Sequence, residues 1–269
     1  MHNQSRASLP SCDAGREVKR RYLTISVDDG YPSDSRTAEL LLGAGLSATF
    51  YVPARNPEHA LLAAPDLRTI AASFEIGAHT FNHCVLNTLP DDQAFREISD
   101  GKAWLEDRIS APVVSFCYPR GKFGRRTPHL VREAGLLGAR TCMLNLNEFP
   151  RDRYLAGVST QAYAHAPHIQ IRHAIHEGNL RGLRDYFRIS RMASDWATHF
   201  TAALKWVDRH GGVAHLYLHS WEIDAQDGWE KLRELLEHAA SYERLTRVTN
   251  GELFQLCAAR EVEHASLVS

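Results

Sequence analysis

From Arg21 onward, apolar positions switch repeatedly between short strand-like runs and helical spacing. Tyr22 to Val27 reads as a strand, and Ser33 or Asp34 can cap a helix running through the apolar cluster Ala38 to Leu42. Further strands are expected at Ala48 to Val52, Phe74 to Ala78 and Val113 to Tyr118, with helices at Asp66 to Ser73 and Asp91 to Ile109 between them. The rhythm continues with a helix at Thr127 to Gly135, a strand at Ala139 to Met143, a helix at Ser194 to His210 and a strand at Val213 to Leu218. A helix over Gly228 to Ala240, a strand over Leu245 to Val248 and a helix capped by Thr249 or Asn250 close the chain.

Strands alternating with helices predict an α/β fold: a parallel sheet with right-handed crossovers, either closed as a barrel or open and doubly wound. The barrel is favoured. Residues 144–190 depart from the rhythm, being long and rich in His and Arg, with strands expected only at Leu155 to Ser159 and His168 to Ile175. They read as an insertion or a long active-site loop. At 269 residues the chain is the right size for one such barrel, so residues 1–269 are expected to form a single domain.

Charge narrows the classes of function. Lys plus Arg (31) nearly cancels Asp plus Glu (32), which gives none of the basic excess of a nucleic-acid binder. Met1 to Lys19 carries no apolar run of the secretory kind, and the most apolar stretch, Leu40 to Ala54, is interrupted by glycines and is too short to span a membrane. The five cysteines are scattered with no knuckle or redox spacing, which suits reduced thiols in a cytoplasm.

Four motifs fall at the carboxyl ends of expected strands, where active sites of parallel α/β folds collect. Asp28, Asp29 and Gly30 follow the first strand, and adjacent carboxylates there can divide two jobs, one binding a cation and the other facing substrate. His79-Thr80-Phe81-Asn82-His83 follows the third strand; on a helical turn both histidines would share a face and could share a metal. With fifteen histidines, composition alone yields roughly one such spacing by accident, and His215/His219 is a second example. What favours His79 and His83 is their position beside Asp28 and Asp29. A Pro119-Arg120-Gly121 bend would expose backbone N–H groups for an oxyanion. His219 can donate a proton, Trp221 beside it can stack a sugar, and His215 is expected to be a packed histidine. His165/His168 and His173/His176 form further pairs, which read as surface histidines.

Ser26-Val27-Asp28-Asp29-Gly30, His79 to His83, Tyr118-Pro119-Arg120-Gly121 and Leu218-His219 together resemble, in order and spacing, the polysaccharide deacetylase family with the NodB homology domain, the carbohydrate esterase family 4 type. The resemblance implies a distorted (β/α) barrel of about seven parallel strands. It also implies a divalent metal, commonly zinc, on Asp29, His79 and His83, with Asp28 as general base, His219 as acid and the Arg120 amide stabilising the oxyanion. Pro119 and Trp221 would face the substrate. Two departures stand out. Cys117 occupies the place of the family arginine that steadies the catalytic aspartate, leaving Arg120 or Arg151 to substitute, and Asp152 is the candidate to orient His219.

The activity implied is removal of an N-acyl group, acetyl above all, from an amino sugar during cell-envelope polysaccharide or lipopolysaccharide assembly. A sugar still joined to a nucleotide or a lipid carrier fits the lack of a secretory segment, with Arg120, Lys122, Arg125 and Arg126 near enough to meet phosphate. Deformylation on the same residues, and a carbohydrate-binding relative without catalysis, are the alternatives.

Overall fold

The structure, a computed structural model, describes residues 20–268; the expectation for the amino-terminal segment lies outside them. In chain order the elements are β1 (Arg21–Asp28), α1 (Asp34–Ala44), β2 (Thr49–Val52), α2 (Ala64–Ala71), β3 (Glu75–Ala78), α3 (Asp91–Ile109), β4 (Ser115–Cys117), α4 (Thr127–Glu133) and β5 (Gly138–Arg140). There follow β6 (Thr160–Gln161), α5 (Pro167–His176), α6 (Leu180–Arg188), α7 (Trp196–His210), β7 (Gly212–His219), α8 (Ser220–Ala225), α9 (Trp229–Ala240), β8 (Thr246–Arg247) and α10 (Asn250–Val268).

Seven parallel strands run in the order β5-β4-β3-β2-β1-β7-β6, with the short β8 laid beside β1. The two edges meet through residues 156–162. Ala156 N–H donates to Ala139 O (3.0 Å) and Thr141 N–H to Ala156 O (2.8 Å), while Ser159 N–H reaches His215 O and Ala162 N–H reaches Tyr217 O, both at 2.9 Å. One segment thus joins β5 to β7 and leaves no open sheet edge there, the hallmark of a barrel. The distorted α/β barrel expected from the sequence is the fold observed.

Strand alternation divides this barrel by chemistry. On β1, Leu23, Ile25 and Val27 pack outward with buried helix residues such as Leu41, Ile98, Phe200 and Leu232, each large apolar side chain worth roughly 1.5–3 kcal/mol. The intervening Thr24, Ser26 and Asp28 are also buried, and point the other way. On β7 the same alternation sends Ala214, Leu216 and Leu218 outward and His215 and Tyr217 inward. The barrel interior is therefore polar, and its carboxyl-terminal mouth opens between the ends of β1 and β7, where Asp28 pairs in register with His219.

Three expectations fail locally. Leu155 to Ser159 forms no strand, only an isolated bridge from Ala156 to Arg140. His168 to Ile175 is not a strand but most of helix α5, and its neighbour α6 places a second helix in the region read as irregular. The two histidines of the third-strand motif do not lie on a helical turn: residues 79–83 form a loop in which Thr80 (φ 64°) and His83 (φ 53°) are left-handed. No described helix is long and apolar enough to cross a membrane.

Candidate active site

Three strand ends at the mouth of the barrel are followed by residues with positive φ. Asp29 (79°) and Gly30 (62°) follow β1, Thr80 and His83 follow β3, and Arg120 (56°) and Gly121 (66°) follow β4. Left-handed backbone costs an ordinary residue about 1–2 kcal/mol, and such strain persists where surrounding contacts over-determine it. At Gly30 a Cβ would meet Val52 Cγ1 at 2.8 Å, so only glycine lets the chain turn tightly after Asp29. The 79–83 loop is held from α3. Glu97 accepts from the amides of Phe81 (3.1 Å) and Asn82 (2.8 Å) and from Asn82 Nδ2 (2.6 Å), and Gly101 lets the helix approach the Thr80 backbone.

These turns bring Asp29, His79 and His83 together. Asp29 Oδ1 is 3.5 Å from His79 Nε2 and 3.1 Å from His83 Nε2. Donor bonds of about 2.0–2.1 Å at a tetrahedral angle put ligand atoms roughly 3.3 Å apart, so the three groups fit a divalent cation. His79 Nδ1 donates to Cys117 O at 2.8 Å, which fixes the tautomer that leaves Nε2 free as a ligand. Asp29 Oδ2 accepts from Trp221 Nε1 (3.1 Å). Burial pushes the Asp29 carboxyl up, but His79, His83 and His219 outweigh it and hold it far below the usual carboxylate range. A second group, Asp28, His79 and Cys117, is also close enough to enclose an ion. It is the poorer site, because burial drives the Cys117 thiol well above its ordinary pKa and Asp28 already has a cationic partner.

That partner is Arg140, at the end of β5. Its guanidinium, fully buried, crosses the barrel to bind Asp28 Oδ2 and lies between the rings of Tyr217 (4.7 Å) and Tyr51 (5.4 Å). Burial opposes its charge, yet Asp28 beside it more than compensates and Arg140 stays protonated. Arg140, not Arg120 or Arg151, thus occupies the space left by Cys117, whose Sγ is 3.7 Å from the same oxygen. The Arg120 side chain turns away to pair with Glu58, and Arg151 is exposed beside a separate groove. Asp28 Oδ1 is buried without a hydrogen-bond partner.

His219 is oriented by Glu222, one helical turn along α8, at 2.9 Å from Nδ1. Its Nε2 sits 4.0 Å from Asp28 Oδ2 and 3.9 Å from Asp29 Oδ2. Burial works against the imidazolium, but Glu222, Asp29 and Asp28 dominate and raise its pKa to about 9. Asp152 is elsewhere, accepting from the amide of Tyr154 (2.8 Å). Beneath the β7–α8 junction, Ser220 Oγ donates to the buried Asp34 Oδ1 (2.5 Å) and anchors the turn that presents His219. Trp221 lines the cleft and stacks on His59 (4.6 Å, 24°), whereas Pro119 is buried in its bend. His215 is packed inside the barrel against Ser26 Oγ (2.9 Å).

Asp28, Asp29, His79, His83, Arg120 and His219 all line one cleft of about 610 Å³. Sequence reasoning missed Arg140 and Glu222. A lone arginine inside an expected apolar strand, and an acid three residues after the candidate proton donor, were the available signals.

The polysaccharide deacetylase family model matches residues 15–139, which include the first three motifs and end one residue before Arg140. A Mycobacterium smegmatis protein assigned to the polysaccharide deacetylases shares the fold with a TM-score of 0.58 at 15% identity, over 96% of each chain. Peptidoglycan deacetylase PdaC from Bacillus subtilis aligns with a TM-score of 0.53 at 13% identity, covering 91% of this chain and 96% of its own. A Streptococcus pyogenes deacetylase, PplD, is matched at 18% identity over 49% of this chain and 61% of its own, with a TM-score of 0.44. Comparison with curated proteins gave no match. The family model and the shared barrel together bear out the resemblance of this chain to the polysaccharide deacetylases.

Proposed function

We propose that the chain is one metal-dependent deacetylase domain that hydrolyses the N-acyl group, acetyl in the first instance, of an amino sugar used in cell-envelope polysaccharide or lipopolysaccharide assembly. The observation that carries this reading is the division of labour between adjacent carboxylates: Asp29 faces two imidazoles, while Asp28 has one oxygen tied to Arg140 and the other unengaged. A binding module has no use for the second arrangement.

A divalent cation, zinc by the donor set, would be held by Asp29, His79 and His83 and would supply Lewis acidity at the amide. Asp28 Oδ1 accepts a proton from the water that attacks the carbonyl carbon, with Arg140 fixing the carboxylate plane. The Arg120 N–H donates to the carbonyl oxygen as it gains negative charge. As the C–N bond breaks, His219 Nε2 protonates the departing nitrogen, so a carboxylic acid and a free amine leave. Glu222 keeps that imidazole pointed at the nitrogen. Trp221 offers its ring to the sugar. The four described cysteines are free thiols, which suits the cytoplasmic side of the membrane.

Zinc-loaded protein should release acetate from N-acetylated amino sugars faster than formate from N-formylated ones, and Asp28→Asn should slow this by about 10²–10⁴. Tight binding of an acylated amino sugar without turnover, unchanged in Asp28→Asn, would establish a carbohydrate-binding role in its place.

A further inference from the structure

The cleft continues past the reaction centre to a second wall that the proposed chemistry does not use. There Arg172, His173 and His176 project from α5, and Lys122 comes from the segment after the Pro119-Arg120-Gly121 bend. Lys122 and Arg172 have no carboxylate within 4.0 Å among the described residues, unlike Arg120, paired with Glu58, and Arg126, paired with Asp91. Glu177 is the acid at this end, and it too lacks an ion pair at that distance among the described residues. Cations gathered with so little compensation raise the local potential and favour an anion. The crowding is felt by His173: burial, then Arg172, Lys122 and His176, all lower its pKa.

A line of polar contacts connects this wall to the proposed proton donor. Glu222, which binds His219, accepts from Gln161 Nε2 (3.0 and 3.1 Å), and Gln161 Oε1 meets His165 Nε2 (2.9 Å). The His165 ring lies 6.4 Å from that of His173. A sugar seated at the reaction centre would share one cleft with the cationic wall.

From this juxtaposition we infer that Lys122, Arg172, His173 and His176 form a subsite for a phosphate or diphosphate group carried by the substrate. The inference rests on the proposed function only in naming the carrier as an amino sugar; anion binding itself requires no turnover. Guanidinium and ammonium groups supply charge-assisted donors, and the two imidazoles supply N–H donors. Two sources share this chemistry, a nucleotide-linked and a polyprenyl-linked sugar.

Calorimetry on the full chain with EDTA present, using inorganic pyrophosphate, UDP and farnesyl diphosphate as probes, separates them. Pyrophosphate should bind the wild type, weaken as salt rises, and bind at least tenfold more weakly to the Lys122→Ala/Arg172→Ala double variant. Arg68→Ala, at an exposed arginine on α2 outside the cleft, should bind as the wild type does. UDP exceeding pyrophosphate assigns a nucleotide carrier, and farnesyl diphosphate exceeding both assigns a lipid carrier. Absence of pyrophosphate binding, or equal affinity in the folded double variant, overturns the subsite whatever the outcome of the amide assay. Pyrophosphate binding without amide hydrolysis would overturn the deacetylase reading and leave the subsite standing.

Discussion

Two histidine pairs in this chain have identical spacing and opposite fates. His79 and His83 lie in a loop beyond a strand end, where left-handed backbone at Thr80 and His83 bends both Nε2 atoms toward one oxygen of Asp29. His215 and His219 lie along β7 itself, so strand geometry separates them by more than a dozen ångströms at about 3.3 Å per residue. One is sealed within the barrel against Ser26, and the other stands at its mouth beside Glu222. Spacing by itself says little about shared chemistry. What decides is whether the backbone between the residues leaves regular structure at a place where other polar groups converge.

The contrast can be tested at each histidine in turn. The largest effect should come from the first pair's partner: Asp29→Ala should lose bound zinc, measured by elemental analysis, and fall to background turnover while its circular dichroism is retained. His219→Ala should keep its zinc and lose about 10²–10⁴ in turnover, and Glu222→Gln about 10–100 with little change in KM. An unaltered rate in His219→Ala would remove it as proton donor.

Inside the barrel the expected losses are of stability. Arg140→Met leaves a buried carboxylate without its partner and should cost about 3–5 kcal/mol in denaturant unfolding, with the Asp28→Asn/Arg140→Met double variant recovering much of the loss but no activity. If the double variant is no more stable than the single, the ion pair is not the cause.

The smallest effect concerns pH. Burial lowers the pKa of His215 well below its ordinary value, and that of His199 to about 4. A histidine kept neutral by folding stabilises fully above its unfolded pKa, near 6.5, and this contribution is lost as pH falls through the window toward the folded value. For His199 that is up to about 3 kcal/mol between roughly pH 6.5 and 4. His215→Asn should make the acid limb of the stability curve shallower, as followed by thermal denaturation. An identical limb would show that His215 is already charged in the folded protein.

Most of the barrel could be read from the sequence because its strands are apolar runs and its helices carry regular periodicity. Asp91 to Ile109 is helical over the residues expected. The proposed metal donors and catalytic groups were readable for the same reason, since they follow strand ends directly. The parts that escaped depend on distance in three dimensions. Arg140 reaches Asp28 only because β5 and β1 face each other across a closed ring, a relation that periodicity does not encode. Residues 168–175 misled because alternating Ile and polar side chains imitate a strand, whereas Pro167 at the first turn and packing against α6 make them a helix.

The register of β1 with β7 reaches beyond the resting structure. Asp28 and His219 are neighbours across that ladder yet stand 191 residues apart in the chain (219 − 28), so the first is translated well before the second. A ribosome-bound fragment lacking β7 carries all three proposed zinc donors and no proton donor. Cation capture could then precede catalytic competence, and loading during translation would meet a protein not yet able to cut anything.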